Sequence, residues 1–160
     1  MPPPCPHSSH LDGRLALFRL PVCPVPPPPH APDRKRLDLP VGELVQLTDD
    51  ASLLHYLAVL EIRAGTVRGD HVHPRREEWF YLVAGAATLH AAVPGQATPV
   101  ALPLQPGDLV RIQPGLAHGL QVTQPGWAVE FSSTPFDPAD TRRCPVVPAR
   151  PGFLPTASPA

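Results

Sequence analysis

The chain has 160 residues, 13 Lys+Arg against 14 Asp+Glu, and 26 prolines. A formal net charge of −1 argues against a nucleic-acid-binding protein, which carries a basic stripe. Proline, usually about 5% of residues, is so abundant here that a helical bundle is excluded, because each ring breaks a helix interior.

Residues 1–40 carry 12 of the prolines, including Pro26-Pro27-Pro28-Pro29, and residues 135–160 carry seven. Both stretches read as Pro-rich extended tails, with polyproline II character near Pro24–Pro29. Within the first tail, Leu15-Ala16-Leu17-Phe18-Arg19-Leu20 is the one segment able to add a strand. No basic stretch followed by an apolar run opens the chain, so no signal peptide is expected. The long uncharged stretch 82–107 is interrupted by Pro94, Pro99, Pro103 and Pro106, which rules out a transmembrane helix there. Cys5, Cys23 and Cys144 form no close pair, and an odd count reads as reduced thiols in a cytoplasmic protein.

Between the tails, residues 41–134 read as one all-β domain. Candidate strands are Glu43–Thr48, Leu53–Arg63, Glu78–Val83, Ala86–Val93, Pro99–Leu104, Asp108–Gln113, Gly119–Thr123 and Trp127–Ser132. Gly, Pro and Asp punctuate them every 8–12 residues or so, the rhythm of a sandwich or barrel. Leu53–Leu60 also fits a helical turn by periodicity, but the alternation that follows, ending on Gly65, favours strand.

The chemistry lies in the run from Gly65 to Gly85. His71 and His73 are two apart, so on a strand both imidazoles share a face, roughly 6.5–7 Å apart at Cα. Pro74-Arg75-Arg76 reads as a corner. On the strand beyond it Glu78, Phe80 and Leu82 share a face, so a carboxylate returns to the same place. Glu77 falls on the opposite face with Trp79 and Tyr81. After the turn Gln113-Pro114-Gly115 comes a third imidazole, His118. Three neutral imidazoles and one carboxylate suit one divalent first-row metal ion, Fe, Mn, Ni or Zn, and leave positions open for substrate.

This pattern resembles the cupin family. Its first motif, Gly, five residues, His-x-His, four residues, Glu, six residues, Gly, is matched at each fixed position by Gly65, His71, His73, Glu78 and Gly85. Its second is matched by Gly107, Gly115 and His118, with Gln113 where the family has Pro and Val122 where it has Asn. The resemblance covers residues 41–134. It implies a double-stranded β-helix, the cupin jelly roll, with metal on His71, His73, Glu78 and His118. A second, shorter resemblance is to cupins that act on nucleotide-linked sugars. It rests on Arg68-Gly69-Asp70-His71-Val72-His73, on Glu130-Phe131 and on Phe136-Asp137-Pro138-Ala139-Asp140-Thr141.

Other residues have bland readings beside functional ones. His55 and His90 lie on expected strands and could serve as general bases or be hydrogen-bonded structural histidines. Arg63 and Arg111 could bind an anionic group or lie on the surface, and Tyr81 and Trp127 read as packing residues.

Three functions fit. The leading expectation is a metal-dependent dioxygenase or related oxidoreductase on a small molecule. The alternatives are a sugar or nucleotide-sugar isomerase or epimerase, and a non-catalytic metal or small-ligand binding module. The expected partner is a small molecule, with neither nucleic acid nor membrane. A homodimer is also expected. Glu78–Val83 is apolar on both faces, and Trp79, Tyr81 and Val83 need a cover on the outer one, from the chain's own Leu15–Leu20 strand, a second subunit or a strand exchanged between them.

Overall fold

A computed structural model describes residues 6–96, 98–149 and 154–155. The strands run in chain order as β1 (Ser8–His10), β2 (Leu15–Arg19), β3 (Val22–Cys23), β4 (Lys35–Leu39), β5 (Gly42–Gln46), β6 (Tyr56–Ile62), β7 (Thr66–Val72), β8 (Glu78–Ala92), β9 (Val100–Leu104), β10 (Asp108–Ile112), β11 (Ala117–Ser132), β12 (Arg142–Arg143) and β13 (Leu154–Pro155). The helical content among the described residues is two 3-10 turns, Ala51–Leu53 and Pro138–Asp140. The first falls at the start of the stretch with competing helix and strand periodicities, and strand takes over at Tyr56. No helix among the described residues is long and apolar enough to cross a membrane.

The expected jelly roll is built on two long bent strands. The first half of β8 pairs with β10 and with the last residues of β11, while its second half pairs with β9 and with the first residues of β11. β6 lies beside the late part of β11 and β7 beside its early part. Both long strands turn from one sheet to the other where glycines sit. A Cβ on Gly85, at φ +95°, would meet the carbonyl oxygens of Gln124 and Pro125 at 2.8 Å, and one on Gly126 would run into the Ala84 carbonyl. Only glycine lets the two backbones cross this closely. Gly85, the last residue of the first motif, is therefore a corner of the barrel.

Alternation along β8 divides its side chains. Phe80 and Leu82 point into the barrel with Leu15, Leu17, Leu89, Ile112 and Leu120. Trp79 and Tyr81 point outward, where Ala16, Phe18, Leu20, Leu109 and Phe131 join them under Val45 and Leu47 of the β5 region. Trp79 and Tyr81 are thus buried by their own chain. Of the three residues that called for a second subunit, Val83 alone stays exposed, so that ground for a dimer is gone.

The tails differ from expectation. β2 pairs along the whole of β10, with Leu15 opposite Ile112 and Arg19 opposite Asp108, and β4 and β5 form a hairpin over the sheet. The prolines of 21–33 occupy the connection between β2 and β4 and leave the strands alone. At the other end, β12 pairs with β7, so residues 135–149 are also packed on the barrel. Cys23 and Cys144 are free thiols, and Cys5 lies outside the described residues.

Leu15 is fully buried. Leu15→Ala is expected to cost about 2–5 kcal/mol of unfolding free energy, read as a lower urea midpoint. An unchanged midpoint would mean that this segment is a tail after all.

Candidate functional site

One end of the barrel interior collects the four residues singled out from the spacing. His71 is on β7, His73 follows that strand, Glu78 opens β8 and His118 is the second residue of β11. β7 and β11 are direct neighbours, with His118 opposite His71. The ring centroids lie 4.4 Å apart for His71–His73, 4.9 Å for His71–His118 and 5.7 Å for His73–His118. One potential ligand atom from each of the four residues lies within 4.8 Å of all the others. Glu78 Oε2 is 3.4 Å from His73 Nε2, and Oε1 is 3.5 Å from His118 Nε2. His73, Glu78 and His118 are buried and His71 is half-buried.

Backbone carbonyls orient two of the rings. His118 Nδ1 donates to Leu116 O at 3.0 Å, and His73 Nδ1 donates to Asp140 O at 3.0 Å. A ring whose Nδ1–H is taken by a carbonyl leaves Nε2 to hold either a second proton, which donates to a carboxylate, or a metal ion. In both residues that nitrogen faces Glu78. His118 Nε2 is buried and, apart from its marginal approach to Glu78, has no hydrogen-bond partner among the described residues. Buried polar atoms are rarely left so, and a divalent ion is the kind of partner that such a nitrogen and its three companions fit.

The electrostatics are those of a mutually compensating cluster. Burial alone would raise the Glu78 carboxyl, but the charges and hydrogen bonds of His118 and His73 outweigh it and hold the group well below the usual carboxylate range. His118 moves upward: burial opposes this, and Glu78 overcomes it. His71 is pushed down to about 3 by burial and then by His118, so its imidazole is neutral near pH 7.

Beside the cluster lies a cavity of about 90 Å³, lined among others by Leu60, Arg68, His71, Glu78, Phe80 and His118. Glu130, from the late part of β11, also lines it. Burial, then the nearby charge of Glu78, pushes the Glu130 carboxyl up to about 7, against the pull of Arg76. Arg76 is itself buried. One of its terminal nitrogens lies 3.3 Å from Glu78 Oε2 and also bonds Glu130 Oε1, while the Tyr56 ring sits 4.4 Å from its guanidinium carbon.

Strand alternation placed Glu77 away from the cluster, and its carboxylate instead accepts from Trp79 Nε1 at 2.8 Å. His55 is exposed and bonds Ser133 O, and neither it nor His90 lines the cavity. Arg63 is on the surface, paired with Glu61. Arg111 lies beside the Trp79 ring. Tyr81 packs as expected, whereas Trp127 is half exposed. The spacing arguments missed Arg76 and the position of Glu130 inside the barrel. The inward alternation Glu78-x-Phe80-x-Leu82, extended across to Glu130 and Ala128, is the signal that could have found the latter.

Residues 58–133 match the family model described as the cupin domain. No curated protein matches the chain. Among solved structures, a variant of the 3,4-ketoisomerase QdtA from Thermoanaerobacterium thermosaccharolyticum, in complex with TDP-4-keto-6-deoxyglucose, is 13% identical, with 81% of this chain and 87% of that one covered at a TM-score of 0.59. ChmJ, a 3'-monoepimerase from Streptomyces bikiniensis in complex with dTDP-quinovose, is 16% identical over 78% of this chain and 76% of that one, with a TM-score of 0.62. WlaRB, a TDP-quinovose 3,4-ketoisomerase from Campylobacter jejuni, is 13% identical over 69% and 88%, with a TM-score of 0.60. At these identities the likeness is one of fold. Motif, barrel and family model agree that residues 58–133 are a cupin domain.

Proposed function

We propose that this protein is an isomerase or epimerase acting on a nucleotide-linked sugar, with one divalent metal ion held by His71, His73, Glu78 and His118. The observation that carries the reading is a cavity lined by members of the ligand cluster and by a separate, largely buried carboxylate, Glu130. The fold neighbours act on TDP-linked sugars, which favours this reading over the dioxygenase one. The ligand set alone supports a dioxygenase, and no second observation joins it.

A bound divalent ion supplies a Lewis acid able to polarise a carbonyl or hydroxyl oxygen. The chain's own residues do the rest. Phe80, Leu89 and Ile112 form the apolar wall of the cavity and exclude water from the reacting carbons. Glu130 takes a proton from a carbon next to a ketone and returns it to the other face of the same carbon, or to the former carbonyl carbon while the alcohol proton passes from the old hydroxyl oxygen to the old ketone oxygen. One C–H bond breaks and one forms, so the molecule keeps its oxidation level. Arg76 holds Glu130 in place and offsets its charge when it is ionised. Arg68 lines both the cavity and the outer depression shared with Arg63 and Thr66, where an anionic diphosphate would meet positive charge.

Two outcomes test this reading. His71→Ala and His118→Ala should each abolish stoichiometric metal in protein purified without chelator or nickel affinity, measured by elemental analysis, because two imidazoles and a carboxylate hold the ion less well than the full set. Full metal content in both variants would remove the site. Incubated with TDP-4-keto-6-deoxyglucose in D2O, the wild type should exchange a carbon-bound proton next to the ketone, seen by NMR. Glu130→Gln should slow that exchange by roughly 10²–10⁴-fold while keeping its metal. Exchange at the wild-type rate would take Glu130 out of the chemistry.

A further inference from the structure

We propose that Asp140, in the C-terminal arm beyond the cupin domain, is a positioning residue that sets the geometry of the metal-facing edge between His73 and Glu78. This rests on the metal reading of the cluster. The arm leaves the barrel after Ser132, and Asp137 caps the 3-10 turn Pro138–Asp140 by accepting from Ala139 N at 2.9 Å. That turn delivers Asp140 to the corner 74–77, which joins the two ligand-bearing strands.

Asp140 makes contacts of two kinds there. Its backbone carbonyl accepts from His73 Nδ1, which fixes the tautomer and aims Nε2 at Glu78. Its carboxylate, buried, holds the corner itself. Oδ1 accepts from Arg75 N and Arg75 Nε, each at 3.1 Å, and Oδ2 accepts from Arg76 N at 3.0 Å. Arg76 N lies two residues before Glu78, and the Arg76 guanidinium touches the Glu78 carboxylate. A shift of the corner therefore moves the ligand carboxylate and its partner together.

The arm is fastened a second time further on. β12 lies along β7, with Arg143 opposite His71. Asp70, at φ +64° and buried, accepts from Cys144 N through its carbonyl at 3.0 Å, and from Val146 N and Val147 N through Oδ1 at 2.7 and 3.0 Å. With its carboxylate on two backbone N–H groups and its carbonyl on a third, Asp70 holds this arm against the strand that carries His71. Groups that position metal ligands from behind typically matter about 10- to 100-fold in affinity; the carbonyl contact to His73 survives any substitution of Asp140, and what a variant removes is the carboxylate's hold on the corner.

The test is Co(II) affinity of the full-length chain, by chelator competition, together with the visible d–d spectrum of the bound ion. Asp140→Ala should weaken Co(II) binding by about 10- to 100-fold and change the spectrum, because His73 and Glu78 lose their fixed separation. Asp140→Asn, which keeps one acceptor oxygen and puts an NH2 donor in place of the other, should fall between Asp140→Ala and wild type; it also serves if Asp140→Ala does not fold. Asp108→Ala is the structural reference. Asp108 is fully buried and accepts from Arg19 Nε and Gln105 N, away from the cluster. Its loss should lower the unfolding midpoint and leave Co(II) affinity and spectrum as in the wild type. Wild-type affinity and spectrum in both Asp140 variants would overturn the proposal, as would an equal loss in Asp108→Ala. A wild type that binds no Co(II) would bring down the metal reading and this inference with it, and it is told apart because it shows before any substitution is made.

Discussion

Glu78 sits at the floor of a β-barrel, 6% exposed, where an unpaired negative charge would cost several kcal/mol. Everything near it is arranged to meet that charge. His73 and His118 turn their Nε2 atoms to its two oxygens, and Arg76 approaches from a third side. Arg76 is in turn a buried cation, and Glu130 and the Tyr56 ring share the burden of holding it. The cluster is therefore a chain of alternating charges running from the proposed ligand set into the cavity. The same low-dielectric surroundings that make such a network costly when incomplete make it rigid when complete.

That arrangement depends on strands that bend. Glu78 and Leu89 lie on the same strand but in different sheets, and Gly85 with Gly126 lets the long strands pass from one sheet to the other. Closing the barrel this way brings the early part of β11, with His118, against β7, with His71. The late part of β11 carries Glu130 back across Phe80. Two strands thus supply both the cluster and the acid–base candidate, and the apolar layer between them shapes the cavity.

How much of this could be read beforehand follows from sequence distance. His71, His73, Glu78 and Gly85 lie within one strand–corner–strand unit, and a period of two with one tight corner determines which of them meet. His118 was legible because its turn, Gln113-Pro114-Gly115, is local too. Arg76 read as part of the corner Pro74-Arg75-Arg76, and nothing local says that its neighbour Arg75 turns out to solvent while it turns in. Asp140 entered only as part of the segment Phe136–Thr141 that carries the second resemblance. Its contacts to residues 73–76 span more than sixty positions, and no pattern within a strand reports a pairing of that range. The Pro-rich beginning was legible in part. Leu15–Leu20 stood out as able to add a strand, and its alternation buries Leu15 and Leu17 in one core and Ala16 and Phe18 in the other, whereas proline content averaged over forty residues hid β4 and its pairing with β5. The same strand pairing, together with the β4–β5 hairpin, covers the outer face of β8 that had called for a second subunit.

Whether the buried charge network is completed by a metal ion is measured most directly by X-ray absorption at the metal edge, on protein purified without chelator or nickel affinity. A divalent ion in this cluster predicts near-stoichiometric metal with a first shell of nitrogen and oxygen at about 2.0–2.2 Å and outer-shell scattering from three imidazoles. Absence of stoichiometric metal, or a shell without imidazole scattering, would contradict it and leave His71, His73, Glu78 and His118 as a hydrogen-bonded network alone.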